Sequence, residues 1–294
     1  QSNKKRTARR GIIEDFVLDK VKAYIFKFAA RVAVGQIMKH LERNVQRGLV
    51  NMSDAEDHVK WQLVKNSAAL DLPQDRPVRI LLFIHGTFSS TIGGYGPLTT
   101  TPWGRQFLRA AHSNYDAVIG FDHATLSEDP LENATDLLNR LQKVDWPYPP
   151  HFDIITHSRG GLVARSLMEL LLPLSEFKAV IERVIFVAVT NGGTKLAEPD
   201  NWQTLMDLYT NISVAACRLI GMIPQAKPAT TILNEVVKSI AALVKYSATT
   251  AVDDRNVPGL AAMEPDGKFI SNLNLEQPNQ PSIDTSYYCA VTSD

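Results

Sequence analysis

Cysteine and long apolar runs are the scarcest features of this chain of 294 residues. The two cysteines, Cys217 and Cys289, lie far apart and show neither CxxC nor Cys/His spacing, which argues against a disulfide framework and against a zinc site. No apolar run approaches the about 20 residues that cross a bilayer, and the first residues lack the pattern of a signal peptide. We therefore expect a protein of the cytoplasm whose contact with a membrane is at most peripheral.

A net charge is also lacking, since Lys plus Arg and Asp plus Glu each number 31. This balance gives no reason to expect nucleic acid or an acidic substrate as a partner. The charges are nevertheless distributed unevenly along the chain. Residues 1–47 contain 12 Lys and Arg against 4 Asp and Glu, an excess of +8 that leaves −8 for the remainder.

The basic N-terminal segment has the period of an amphipathic helix. Between residues 11 and 45 the apolar residues recur at steps of three and four: Ile13, Phe16, Val17, Val21, Tyr24, Ile25, Phe28 and Val32. Such a helix can lie on an anionic membrane surface, or it can pack on the adjoining domain or on a second copy of the chain. We assign residues 1–50 to this helical extension and the turn-rich residues 51–77 to a connector.

From Val78 onward the sequence alternates between strand and helix patterns. The unalternating apolar run at 78–84 predicts a strand covered on both faces, as in a parallel sheet. Further strands are predicted at 116–123, 152–156, 183–189 and 287–291. Helical patterns occupy 101–112, 130–144 and 160–172. This order predicts one α/β domain over 78–294, built on a doubly wound, mostly parallel sheet with its site at the carboxyl ends of the strands.

Residues 195–255 contain two apolar helical patches, at 201–223 and 231–246, and no convincing strand. Apolar helices inserted at the active edge of a sheet can form a lid or a substrate-binding cap. An ordinary helical layer is the alternative. Residues 257–273 are predicted to belong again to the core of the α/β domain.

The segment from His151 to Arg165 contains the residues that predict a reactive serine. A short buried strand leads into an abrupt turn at Ser158, and a helix opens at once with Gly160 and Gly161. A serine at such a corner projects its hydroxyl beyond the sheet edge, beside the N–H groups of the helix start. The match to Gly-x-Ser-x-Gly is incomplete because Thr156 stands at the first glycine position. The simpler alternative is a Ser/Gly turn between a strand and a helix.

Residues 78–294 resemble an α/β-hydrolase of the lipase/esterase type. The resemblance rests on the loop after the first strand (85–88), the serine corner (156–160), the glycines after the next strand (191–194), the helical cap and the stretch 259–265. The sequence at 120–123 and 156–165 also resembles that of uncharacterised hydrolase-like domains in bacterial multidomain proteins, some of which are joined to CHAT protease modules. The N-terminal helix lies outside the resemblance.

The resemblance implies a role for several residues. Ser158 would be the nucleophile, and the backbone N–H groups of Arg159 and of Thr87 or Phe88 would form the oxyanion hole. His85 would shape its loop, with a role as base as the lesser alternative. Asp294, directly after the last predicted strand, is the tentative acid of the triad. No cofactor and no metal are implied.

The chain departs from the family in its histidines, all seven of which precede Ser158: His40, His58, His85, His112, His123, His151 and His157. The fold supplies its triad in the order Ser, acid, His, so we expect the chain to be a fragment whose catalytic histidine lies further on. Otherwise His85 and His123 are the bases to test first. We expect hydrolysis of carboxylic esters, specifically of lipid or phospholipid acyl esters. An amidase or peptidase and a catalytically silent module for partner binding or assembly are the alternatives.

Overall fold

The computed structural model of the chain describes Glu42, residues 46–221, 257–275 and 286–290, with side chains at Glu42, 46–211, 257–275 and Ser286. The strands are β1 (Gly48–Asn51), β2 (Gln62–Leu63), β3 (Arg79–Ile84), β4 (Ala117–Asp122), β5 (His151–His157), β6 (Val180–Val187) and β7 (Ser286–Ala290). The α-helices are α1 (Thr91–Tyr95), α2 (Pro102–Asn114), α3 (Pro130–Leu141), α4 (Gly160–Arg165), α5 (Trp202–Gly221), α6 (Pro258–Ala261) and α7 (Lys268–Leu273). Short 3-10 turns occupy His58–Lys60, Ser67–Leu70, Gly96–Thr100, Leu172–Leu174, Lys195–Ala197 and Pro199–Asn201.

The strands form one sheet in the order β2-β1-β4-β3-β5-β6-β7. From β4 to β7 every pairing is parallel, whereas β1 runs antiparallel to both β2 and β4. From β3 the chain passes to β4 on one side and then returns to β5 on the other, so the strand order reverses at β3. Ligands of open α/β sheets bind at the carboxyl ends of the strands beside such a reversal. The predicted doubly wound α/β architecture is confirmed.

Helices cover both faces of the sheet, and every residue of β3 and β4 except Arg79 is buried. On one face, Leu137 of α3 and Val163 of α4 pack against Ile80 and Ile119. On the other face, Leu108 and Ala111 of α2 pack against Leu81, Phe83 and Val118. Both α2 and α3 start with proline after a side-chain cap, from Thr101 and Asp129 respectively.

The structure differs from the sequence-based boundaries in three places. Strands β1 and β2 belong to the sheet, although they lie in the stretch assigned to the extension and the connector; each has four residues or fewer, too short to show a period. The predicted helix 160–172 is continuous in space but changes from α to π geometry over Ser166–Leu171 and ends in a 3-10 turn. Strand β6 begins at Val180 and alternates in burial, so it is not covered evenly on both faces.

Candidate active site

Ser158 lies at a sharp corner between β5 and α4. Its φ is +52°, a left-handed conformation that a residue with a side chain adopts only where the surroundings enforce it. The Ser158 N–H donates to the Val187 carbonyl at 2.9 Å, and the Ser158 carbonyl accepts from Gly161 N–H at 3.1 Å. These two bonds hold the corner from the neighbouring strand and from the helix. The arrangement is that of the nucleophile elbow of α/β-hydrolases.

Two glycines allow the elbow to approach the end of β3. A Cβ on Gly86 would lie 2.8 Å from Ser158 Cβ and 3.1 Å from His157 Nδ1, and a Cβ on Gly160 would lie 2.3 Å from the Ile84 carbonyl oxygen. Thr156, by contrast, is buried within the sheet, and its hydroxyl donates to the Ile185 carbonyl at 3.4 Å. The elbow therefore accommodates a buried threonine on its strand side but needs glycine on its helix side.

Backbone donors lie on both sides of the serine. Within the part of the chain that the structure describes, the N–H groups of Arg159 and Thr87 donate to no acceptor. The N–H of Phe88, by contrast, donates to the Thr125 hydroxyl at 3.2 Å, and Phe88 itself has a φ of +53°. Of the two loop amides predicted from the sequence, that of Thr87 is therefore the better placed to receive an oxyanion.

Tyr209 of α5 is the side chain that the structure adds to these predictions. Its Oη lies 3.5 Å from Ser158 Oγ, and its ring packs edge-on against Phe88 with the centroids 5.1 Å apart. Burial raises the pKa of Tyr209, while hydrogen bonds to Ser158 and Thr87 act in the opposite direction. Sequence patterns gave no signal for this contact, because it joins residues that are 51 positions apart.

His85 and His123 lie beneath the loop rather than beside the serine. Their rings stack with centroids 4.1 Å apart and an interplanar angle of 15°. His85 Nε2 accepts the His123 N–H at 3.3 Å, so the proton is on Nδ1, which donates to the Gly86 carbonyl at 2.9 Å. Burial lowers the pKa of His123 well below its usual value. Both nitrogens of His85 are thus engaged by the backbone, as expected of a residue that shapes the loop.

The Arg159 side chain is fully buried and connects the elbow to two other loops. Its Nη2 donates to the Glu128 carbonyl at 2.5 Å and its Nε to the Gly259 carbonyl at 3.3 Å. Burial lowers the pKa of Arg159 to about 10, while nearby carboxylates, including Asp129 and Glu42, act in the opposite direction. The residue after the serine therefore has a structural side chain in addition to its candidate backbone donor.

Glu42 is a second contact that the sequence did not predict. Its buried carboxylate accepts the N–H groups of Thr125 (3.2 Å), Leu126 (3.1 Å) and Ser127 (2.7 Å). The loop that it holds also supplies the Thr125 hydroxyl to Phe88 and the Glu128 carbonyl to Arg159. A residue that precedes the sheet is thus tied to both sides of the elbow.

Several predicted features lie outside the described residues: the tentative acid Asp294, most of the helix 11–45 and the second cap patch 231–246. Among the described side chains, no group of three His, Cys, Asp or Glu is arranged to hold a metal ion. A search of the described helices for one long and apolar enough to cross a membrane finds none.

The sheet order, the reversal at β3 and the elbow after β5 together establish the α/β-hydrolase fold. Residues 47–294 match the model of a family described as a domain of unknown function, DUF7379. No curated protein matches the sequence.

Similar solved structures include a lipase of Bacillus licheniformis, BlEst2 in its mature form (15% identity, 74% of this chain and 68% of that chain, TM-score 0.41). Others are lipase 1 of Pelosinus fermentans (11% identity, 68% and 64%, TM-score 0.42) and phospholipase PlaB of Legionella pneumophila (20% identity, 42% and 27%, TM-score 0.32). The chain thus spans about two thirds of each lipase and about a quarter of the phospholipase. At these identities and scores the likeness concerns the fold and carries no argument about activity.

Proposed function

We propose that this protein, which belongs to the DUF7379 family, is a serine hydrolase that cleaves carboxylic esters through an acyl-enzyme on Ser158. The observation that carries the proposal is the elbow itself. A serine with a φ of +52° at the carboxyl end of a central strand is strained, and such strain persists where it positions a reactive group.

The chemistry follows from the groups around the elbow. Ser158 Oγ attacks the ester carbonyl carbon, and the π electrons of the carbonyl move onto its oxygen. The N–H groups of Arg159 and Thr87 stabilise that oxyanion. The Ser158 proton passes to a base and from it to the alcohol, which leaves as the tetrahedral intermediate collapses. Water then gives a proton to the same base as it attacks the acyl-enzyme, and that proton returns to Ser158 as the acid is released. The contacts of both His85 nitrogens with the backbone support the proposal that His85 shapes its loop and does not take the serine proton.

An apolar acyl group is the substrate class that the surroundings favour. Tyr209 contacts Ser158 and also packs against a buried apolar cluster formed by the cap, the oxyanion loop and the stretch 257–273. The members of that cluster include Phe88, Leu126, Trp202, Leu205, Met206, Leu260 and Met263. Apolar side chains beside a nucleophile favour the acyl chain of a lipid or phospholipid over a charged substrate.

A catalytically silent module for partner binding is the second candidate. In the described part of the chain, no histidine ring forms a hydrogen bond with Ser158, whose described side-chain partner is Tyr209. A serine without a base keeps its proton, and loss of a triad member costs several orders of magnitude in rate.

Labelling with a fluorophosphonate separates the two candidates, because the reagent modifies only an activated serine. The proposal predicts that the wild-type chain is labelled on the peptide that contains Ser158 and that Ser158→Ala is not labelled. Ser113→Ala is the matched control, since within the described structure this exposed serine donates to the Arg109 carbonyl of its own helix and to no other group. A full-length protein that folds normally and stays unlabelled would favour the silent module.

A further inference from the structure

Tyr209 is held firmly at the elbow by its helix. The start of α5 is fixed by Trp202, which is buried and donates its indole N–H to the Ala197 carbonyl at 2.8 Å. Leu205 and Met206, within one turn of Tyr209, are also buried in the apolar cluster of the cap. The tyrosine hydroxyl therefore stands at a defined place above Ser158.

The hydroxyl stands between the serine and the oxyanion loop. Its Oη is 3.5 Å from Ser158 Oγ, and it also interacts with the Thr87 side chain. Thr87 is the loop residue whose N–H donates to no acceptor among the described residues. A group that contacts both Ser158 and Thr87 borders the space in which a carbonyl oxygen would be held.

The chemistry of this hydroxyl limits its role. Because burial raises the pKa of Tyr209, the phenol stays protonated at neutral pH and does not serve as the base for Ser158. A neutral phenol can still donate a hydrogen bond. Such a hydrogen bond stabilises the transition state most when its acceptor is an oxygen that becomes negatively charged only there.

We propose that Tyr209 is a catalytic residue, the third donor of the oxyanion hole, which acts from the cap together with the backbone N–H groups of Thr87 and Arg159. The inference rests on the proposed function, since it requires an acyl transfer at Ser158. The tyrosine hydroxyl donates to the oxygen of the tetrahedral intermediate and loses no proton in the cycle. The cap thus contributes to the chemistry as well as to the binding of the acyl chain.

The competing role is packing alone, because the Tyr209 ring lies against Phe88 and the apolar cluster. Tyr209→Phe separates the two roles, since it keeps the ring and removes only the hydroxyl. Thr210→Val is the matched control. It removes a hydroxyl from the next position of the same helix, where, among the described residues, Thr210 Oγ1 donates to the Met206 carbonyl alone, at 2.7 Å.

The test measures the second-order rate of fluorophosphonate labelling of Ser158, together with kcat and KM for a p-nitrophenyl ester, in full-length chains. Removing one oxyanion donor in other enzymes costs about 10²–10³ in kcat, and for one donor of three we expect a loss of about 10- to 100-fold. The loss should fall on kcat and on the labelling rate and leave KM unchanged, and Thr210→Val should behave as wild type. All rates are taken at a temperature at which thermal melts show each variant folded.

The outcomes distinguish this inference from the proposed function. A wild-type chain that labels on Ser158, with Tyr209→Phe labelling and turning over equally fast, would overturn the role of Tyr209 and leave the serine hydrolase intact. A rise in KM at constant kcat would also overturn it, because that result assigns the hydroxyl to ground-state binding. A folded wild-type chain that never labels would overturn both.

Discussion

Gly160 lies so close to Ile84 that a Cβ placed on the glycine would come within 2.3 Å of the Ile84 carbonyl oxygen. The contact joins the helix after Ser158 to the strand that leads into the loop 85–88. Because the near atom belongs to the backbone, it cannot turn aside as a side chain would. The distance between the two halves of the site is thus set by the absence of a side chain at this position.

Gly160→Ala should therefore push the elbow and β3 apart. We expect a loss of at least about 2 kcal/mol in the free energy of unfolding, because overpacking against fixed atoms is costly, and a loss of labelling at Ser158. Gly192→Ala is the control, since a Cβ there meets nothing within 4 Å, and its effect should stay within about 0.5 kcal/mol. Urea unfolding of the three chains measures the difference; equal stability of the two variants would contradict the account of the elbow.

Arg159→Met should be among the most destabilising single changes at the site. The substitution leaves the buried Glu128 and Gly259 carbonyls without their donor and removes the cation that balances Asp129 and Glu42. We expect a loss of about 3–5 kcal/mol, as for a buried charge that loses its partner. Arg109→Met, which breaks an exposed pair with Glu56, should cost less than about 1 kcal/mol. Thermal melts or urea unfolding give both values.

The raised pKa of Asp122 should make the free energy of unfolding depend on pH. Burial raises its pKa from 3.8 to about 6, so the folded state binds the proton more tightly than the unfolded state does. The contribution of Asp122 to the free energy of unfolding should consequently fall as the pH rises from about 4 to about 6, by at most about 3 kcal/mol. Asp122→Asn keeps an oxygen for the Thr91 N–H, at 2.6 Å in the wild type, but no longer titrates.

The measurement is the difference in urea stability between Asp122→Asn and wild type as a function of pH. That difference should shift in favour of the variant between pH 4 and pH 6. Asp116→Asn is the opposite control, because a hydrogen bond from Arg76 lowers the pKa of Asp116 below 3.8, and its carboxylate stabilises the fold above that pH. A difference for Asp122→Asn that does not change with pH would show that the pKa of Asp122 is the same in the folded and unfolded states.

The strands at the centre of the sheet could be predicted from the sequence because they are buried on both faces. For β4 and β5 the predicted limits fall within one residue of the observed ones. Helix α1 was missed, since Gly93 and Gly94 are poor helix formers and the helix depends on a distant partner, the bond from Thr91 N–H to Asp122.

Part of the candidate site could also be predicted, because some of its residues lie close together in the sequence. The serine corner is a local pattern that could be recognised in the sequence, whereas the loop amides and the position of His85 were implied by the resemblance to α/β-hydrolases. The roles of all these residues in catalysis stay predictions. Tyr209 and Glu42 act across the fold, 51 residues from Ser158 and 83 or more from the loop that Glu42 holds. A single sequence contains no periodic signal for contacts of that kind.

The basic segment 11–45 remains a proposal for a membrane surface or for self-association. If it binds anionic membranes, sedimentation with vesicles that contain an anionic lipid should show binding that weakens as salt rises, because surface charges are screened over about 8 Å at physiological ionic strength. The matched control is a chain without residues 1–40. This shortened chain retains Glu42 and the three hydrogen bonds that its carboxylate accepts. Vesicle binding that does not change with the salt concentration or with the content of anionic lipid would contradict the membrane proposal. A changed molecular mass of the shortened chain in light scattering would support self-association.

The most direct test of the central claim, that Ser158 forms an acyl-enzyme, is mass spectrometry of the chain quenched in acid during turnover of a p-nitrophenyl ester. The account predicts an added mass equal to one acyl group, located on the peptide that contains Ser158 and absent from Ser158→Ala. A folded wild-type chain that hydrolyses the ester without any acyl adduct, or that carries the adduct on another residue, would contradict it.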